Sequence, residues 1–302
     1  MTHIKSYRVY PPYPYSLALT TSTWNRWNPQ YRYYDGQTFW QTMMYKNKPY
    51  LASVQQKGKE LLIKVTSNIA FSADDYKEIK KQIIKLLNLD IDLNKFYKYI
   101  NEGDDKVMKS IIKQLRGLLF NRISSLFEAF VIVIVSQEIA SSFALKIIQR
   151  IYEGLGKKFK LNGQVYYTFP TAKEVYETPN KWFRGLSIPE KKVGYIKNIA
   201  KMFIEKKLGI PKLKAMKDGE LAKFLDDLPG VGSWTASSVM LRGCARLDVD
   251  SRGDLDVKKA FQLYYKVTDK NKMNKIIERW GPWKGLASLY LITAKRMGLK
   301  MG

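Results

Sequence analysis

Within nine residues, Leu228-Pro229-Gly230-Val231-Gly232-Ser233-Trp234-Thr235-Ala236, three helix breakers interrupt a pattern that is helical on both sides. The stretch therefore reads as a helix, a tight hairpin and a second helix. Glycine permits positive φ and close backbone approach, so the amides of Val231 to Thr235 can point outward from a helix N-terminus. Such a corner suits a phosphate, although the same residues also make a corner that binds nothing. A helix's length further on comes Ser251-Arg252-Gly253-Asp254. Leu255, Val257 and Phe261 follow at a spacing that fits the apolar face of a new helix. A carboxylate at that start either caps the helix or serves chemistry.

Charge narrows the partner. The 302 residues carry 52 lysines and arginines against 27 acids, a net charge of +25. A surplus of that size favours a polyanion, with nucleic acid ahead of an anionic membrane surface. There is one cysteine, Cys244, and one histidine, His3, so no metal site of the usual ligands is expected and no disulfide. Cys244, among small residues, reads as a small packed hydrophobe. The longest strongly apolar run, Phe130 to Val135, is far too short to span a membrane, and the N-terminus lacks a cleavable signal pattern. An intracellular, soluble protein is expected, in two or three packed units.

Residues 1–34 are rich in tyrosine, proline and tryptophan, from Tyr10 through Trp24 and Trp27 to Tyr34, and read as an irregular segment stapled to a core by its rings. From Gln37 the alternation is that of strands, at 37–45, 50–55 and 60–66, with turns at 46–49 and 56–59. Ser72-Ala73-Asp74-Asp75 has the form of a capping box opening a helix to about Leu87. Beyond Asn88 helices are expected at 93–101, 104–115, 123–155, 171–176, 179–186, 189–207 and 218–225. Residues 154–169 are expected to form a loop with a short hairpin. The domain division is 1–92, an α+β unit with an antiparallel sheet, and 93–302, all α, with the helix-hairpin-helix at about 220–243.

The hairpin, the aspartate about twenty residues on, Gly253-Asp254-Leu255-Asp256-Val257-Lys258, Trp280-Gly281-Pro282-Trp283-Lys284 and Pro189-Glu190-Lys191-Lys192 together resemble the helix-hairpin-helix DNA glycosylase superfamily. Within it the likeness is to the 3-methyladenine DNA glycosylase II (AlkA) family, over roughly residues 117–296. The resemblance implies a mainly α, two-lobed glycosylase fold with an added N-terminal α+β domain. It places the catalytic aspartate on Asp254, rather than on Asp250 or Asp256, and the base-stacking tryptophan on Trp234. An electron-rich indole face attracts a cationic alkylated base; a tryptophan fixing the hairpin helix is the structural alternative. The rest of the base pocket falls on Ser238, Leu255 and Ile292, where the family pattern has aromatic rings. Phosphate contacts fall on Gly230, Val231, Gly232, Ser233 and Thr235, with a monovalent cation bridging hairpin carbonyls and phosphate. A wedge that fills the gap left by a flipped base falls near Gln137, Glu138 and Ile139.

Cleaving an N-glycosidic bond builds positive charge on the sugar, which an ionised carboxylate near C1′ stabilises. Bifunctional relatives place a nucleophilic lysine where Trp234 stands, and an indole cannot form a Schiff base. The expectation is thus a monofunctional base-excision glycosylase for alkylated purines, without cofactor, acting as a monomer on damaged double-stranded DNA. Gly36-Gln37-Thr38-Phe39 resembles part of a motif of 8-oxoguanine DNA glycosylases, which makes that activity the first alternative. A non-catalytic, structure-specific DNA-binding protein is the second.

Overall fold

The computed structural model describes residues 2–22, 28 and 30–300, so Trp24 and Trp27 lie outside the described residues. The N-terminal region holds β1 (His3–Val9), α1 (Leu17–Thr21), β2 (Arg32–Tyr34), β3 (Thr38–Tyr45), β4 (Lys48–Lys57), β5 (Glu60–Ser67) and α2 (Ala73–Leu86). The five strands form one antiparallel sheet in the order β1-β5-β4-β3-β2. Alternation sets its inner face: Tyr50, Ala52 and Val54 on β4 and Leu61, Ile63 and Val65 on β5 are buried. They share an apolar cluster with Ile79, Ile83 and Leu86 of α2. The capping box is present, with Ser72 Oγ accepting from the Asp75 amide and the Asp75 carboxylate accepting from the Ser72 amide.

Residues 1–34 are more ordered than their composition suggests. β1 pairs with β5 in register from His3 opposite Ser67 to Val9 opposite Leu61. It escapes a pattern reading because it is an edge strand in which every residue keeps some exposure. Tyr15, Tyr31 and Tyr34 are buried, as stapling rings should be, whereas Tyr10 and Tyr13 remain in solvent.

Helices follow: α3 (Leu93–Glu102), α4 (Lys106–Gln114), α5 (Leu126–Ser136), α6 (Ser141–Leu155), then the hairpin β6 (Lys158–Leu161) and β7 (Gln164–Tyr167). The chain continues with α7 (Ala172–Glu177), α8 (Asn180–Gly185), α9 (Glu190–Ile204), α10 (Ile210–Ala215), α11 (Asp218–Asp226), α12 (Ser233–Cys244), α13 (Leu255–Tyr264), α14 (Lys270–Glu278) and α15 (Lys284–Met297). α5 is buried nearly all round, as its run of apolar residues requires. The single helix expected over 123–155 is two. It breaks at Gln137–Ala140, where Gln137 is extended and Glu138 takes a left-handed φ of 58°. Hydrophobic spacing continues across that break, so periodicity does not reveal it.

Two apolar clusters divide the molecule. One joins the sheet and α2 to α3, α4, α13 and α15, with Phe261, Trp280 and Tyr290 fully buried at its centre. The other is built from α5 to α12. A buried ion pair ties the sheet to the second cluster: Arg32 on β2 meets Glu128 on α5 at 3.4 Å with both side chains inaccessible. Glu128 also accepts from Tyr152 and Ser124, and Arg32 Nε donates to Gln41 at 2.8 Å. These bonds offset the desolvation of two charges, which is why loss of one partner costs more than the pair contributes.

Candidate active site

The hairpin between α11 and α12 is held by contacts that only its own residues permit. Gly230 has φ of 80°, and a Cβ built there would lie 2.1 Å from Cγ of Tyr195 on α9. Glycine is therefore required twice over, by backbone and by ring. Leu228 and Val231 anchor the turn in the second cluster, and the Val231 amide donates to Leu228 O at 2.9 Å. Gly232, extended, is the N-cap of α12 and has no side chain to satisfy the first-turn amides. Among the described residues, those of Gly232 and Ser233 make no hydrogen bond, and both residues are exposed. Two amides and the positive end of a three-turn helix are what a phosphate oxygen needs.

This narrows the expected phosphate set. The Val231 amide is committed to Leu228, and Thr235 is buried with its hydroxyl accepting from Gln137 Nε2 at 2.9 Å. Gly230 shapes the turn, and its carbonyl accepts from the same Gln137 amide at 2.8 Å. A cation at the hairpin would have to share the carbonyls of Leu228 and Gly230, each of which already accepts one hydrogen bond.

In the first turn of α12, Trp234 meets Asp254. The indole Nε1–H donates to Asp254 Oδ2 at 3.0 Å. The other oxygen, Oδ1, accepts from the amides of Asp256 at 2.7 Å and Val257 at 3.3 Å, so Asp254 is the N-cap of α13. The capping and chemical readings of this residue are thus compatible. One oxygen closes the helix start, and the other faces the tryptophan. Asp254, Trp234, Ser238 and Ile292 line one small cavity of about 80 Å³ at the meeting of α12, α13 and α15, together with Arg242, Ser251 and Ser288. The two neighbouring aspartates are otherwise engaged. Asp250 is bound by Arg252 at 2.7 Å, and Asp256 by Lys295 and by Arg296 at 2.9 Å.

A family model described as the HhH-GPD superfamily of base excision DNA repair proteins matches residues 131–284, a span that takes in α6 to α14, the hairpin and Asp254. The chain belongs to this superfamily. It is 28% identical to the DNA-3-methyladenine glycosylase of Bacillus subtilis (strain 168) over 219 residues, 71% of each chain. Two further curated relatives, from Bacillus subtilis and Escherichia coli, are matched over little more than half of their length. Among solved structures, the 3-methyladenine DNA-glycosylase from Archaeoglobus fulgidus superposes with a TM-score of 0.82, at 19% identity, over 97% of this chain and 99% of that one. The Clostridium acetobutylicum 8-oxoguanine glycosylase/lyase, in complex with double-stranded DNA, does so with a TM-score of 0.78, at 22% identity, over 99% and 98%. At these identities the superpositions speak for the fold, and the N-terminal sheet domain is part of it.

Of the four residues expected to line the base pocket, Leu255 alone lies outside this cavity. Leu255 is 69% exposed and lines instead a larger cleft of about 760 Å³ with Arg252, Lys258, Lys259 and Lys270. It is the first helical position of α13, one residue past the cap, and Ser233 at the start of α12 lines the same cleft. Gln137 does not project as a wedge: its amide latches the end of α5 to the hairpin, and its carbonyl accepts from Lys192 Nζ. Ile139 packs against the second cluster. Glu138 alone stands at the exposed tip, in the left-handed backbone conformation. The Gly36–Phe39 stretch makes a turn whose amides at Gln37 and Thr38 donate to Asp35, and none of its residues lines the cavity beside Asp254.

Sequence reasoning missed Arg242. It lies two turns after Trp234 on the same face of α12, and the spacing 234, 238, 242 was the available signal. Burial, then repulsion from Arg296, pushes its pKa down to about 10, while Asp254 pulls the other way.

Proposed function

We propose that this chain is a monofunctional DNA glycosylase that removes damaged purines, alkylated ones included, with Asp254 as the catalytic carboxylate. The observation that carries the reading is the carboxylate of Asp254, fixed by three donors at the wall of a cavity it shares with the Trp234 indole. A base extruded from duplex DNA enters beside the indole, and the free lone pairs of Asp254 Oδ2 face the anomeric carbon. As the glycosidic bond breaks, positive charge on the sugar is met by that carboxylate, which also orients the incoming water. N3- or N7-alkylated purines leave readily, so one acid suffices.

The exposed amides of Gly232 and Ser233 take a backbone phosphate and set the register without reading sequence. The surplus of basic residues adds salt-dependent affinity. Trp234 brings no amine to the place where a lyase keeps its lysine, and no lysine lines the cavity, so strand nicking is not part of the activity. The protein acts as a monomer, with the unit at 1–92 supporting the glycosylase unit at 93–302. The 3-methyladenine glycosylase named among its relatives supports the substrate class.

The test is release of free methylpurines from methylated duplex DNA, followed by chromatography for wild type and Asp254→Asn. Wild type releases them. Asp254→Asn keeps the helix cap, folds, binds the DNA, and loses turnover by at least about 10²-fold. Binding without release by wild type would reject the alkylpurine reading and leave the 8-oxoguanine glycosylase and then the DNA-binding protein.

A further inference from the structure

Asp254 is delivered by the loop 246–253, and that loop has little apolar purchase: Val249 is its one buried residue. Its place is set instead by the start of α15 and by a chain of alternating charges. The Gly285 amide donates to Leu247 O at 2.8 Å, and the hydroxyls of Ser288 and Ser251 are hydrogen-bonded to each other. The Ser251 carbonyl then accepts from the Asp254 amide at 3.0 Å. Gly285 lets the loop lie this close, since a Cβ there would run into Val249 Cγ2 and stand 3.0 Å from Leu247 O. Lys284, one residue earlier, pairs with Asp248 on the loop at 2.9 Å and with Glu278 at the end of α14 at 3.4 Å. Glu278 in turn meets Arg252 at 3.6 Å, and Arg252 holds Asp250 at 2.7 Å. Alternating charges thus tie both ends of the loop to two helices, and none of Asp248, Arg252, Glu278 and Lys284 lines the cavity beside Asp254.

We propose that Lys284 is a positioning residue for Asp254: held between Asp248 and Glu278, its ammonium fixes the loop that presents the carboxylate, and it governs the rate of base release rather than the affinity for DNA. The inference rests on the glycosylase reading above and says what aims the carboxylate of that reading. A single apolar anchor sets where a loop lies but leaves it free to rock about that point. A carboxylate that must meet charge at one carbon tolerates little rocking. The side chain of Lys284 is 21% exposed and that of Asp248 37%, so their attraction is screened less by water and salt than that of a pair out on the surface. Trp234 on α12 aims the oxygen Oδ2, whereas the main chain of Asp254 is aimed from α15 through Ser251. Lys284 therefore acts on the reacting group without touching it or the base.

The experiment measures single-turnover release of methylpurines from methylated duplex, and half-saturation by that DNA, for wild type, Lys284→Met, Lys284→Arg, Asp248→Asn and the double variant of Lys284→Met with Asp248→Asn. Lys284→Met and Asp248→Asn should each slow release by about 10- to 100-fold, with half-saturation changed by less than about threefold. The double variant should lose no more than the slower single one, because both break one contact. Lys284→Arg keeps the charge and can reach both carboxylates, so it should recover most of what Lys284→Met loses. Asp248→Asn carries the test if Lys284→Met does not fold, since it leaves Lys284 paired with Glu278. Single variants that work at the wild-type rate overturn the inference and leave the glycosylase reading standing. So do losses that multiply in the double variant, Lys284→Arg as slow as Lys284→Met, or weaker half-saturation at an unchanged rate, which would make Lys284 a contact to DNA. Wild type that releases no methylpurine rejects the alkylpurine reading and this inference with it.

Discussion

Replacing Trp234 with phenylalanine separates the two things the indole does. A six-membered aromatic face remains, so a base can still stack on it, but the 3.0 Å hydrogen bond from Nε1 to Asp254 Oδ2 is gone. A hydrogen bond to a charged group contributes about 1.5–3 kcal/mol. Folding should suffer less than that. Oδ1 keeps its two amide partners at the start of α13, and Oδ2 can take water, so the loss in stability is about 1 kcal/mol. The rate should bear more of it, because the bond fixes the oxygen that meets the developing charge. At about 1.4 kcal/mol per factor of ten, losing 1.5–3 kcal/mol slows base release by roughly 10- to 150-fold. Single-turnover release from methylated duplex, with enzyme in saturating excess, isolates this step from binding. Trp234→Ala, which removes the stacking face as well, should lose about a further 1–3 kcal/mol. A Trp234→Phe protein that works at the wild-type rate while Trp234→Ala is slow would refute the positioning role and leave the indole as a stacking platform alone.

Gly230→Ala must place a Cβ 2.1 Å from the Tyr195 ring at a φ of 80°; the backbone alone costs about 1–2 kcal/mol, and the ring has to move, so thermal denaturation should show a clear loss accompanied by weaker DNA binding. Gln137→Ala breaks the latch to Gly230 O and Thr235 Oγ1 and should cost about 1–3 kcal/mol of stability by chemical denaturation; a variant of wild-type stability that fails only in base release would make Gln137 a wedge after all. Burial raises the pKa of Asp256, but its bonds to Lys295 and Arg296 outweigh burial and hold the carboxyl below the usual carboxylate range. A depressed folded pKa gives stability that is present above the unfolded value of about 3.9 and is lost as pH falls through the folded one. The difference in melting temperature between wild type and Asp256→Asn should therefore be full at neutral pH and vanish in strong acid; a difference independent of pH would refute the assignment.

Local chemistry made much of this molecule readable from its residues. Pro229, Gly230 and Gly232 in close succession break a helix, so the corner declared itself, as did the capping box at Ser72 and the alternating strands β3 to β5. Asp254 was legible as a cap, which depends on a few neighbours in sequence, and the chemical role proposed for it came through resemblance. The break at Gln137–Ala140 was not legible, since the side chains on both sides continue one apolar spacing and the cause is a left-handed Glu138. Nor was β1, whose partner β5 lies some sixty residues away.

The sequence by itself determined the capped helices, the alternating strands and where the hairpin turns, because propensity, capping and glycine geometry act over a few residues. Tertiary structure alone decided which groups are free to act. Gln137 and Thr235 carry the right atoms for a wedge or a phosphate, yet their partners across the fold consume them, while Arg242, unremarked in sequence, is left facing the cavity without one. The physical reason is that a buried polar atom must be satisfied, and whether its partner comes from the protein or from a ligand depends on distant segments that only folding brings together.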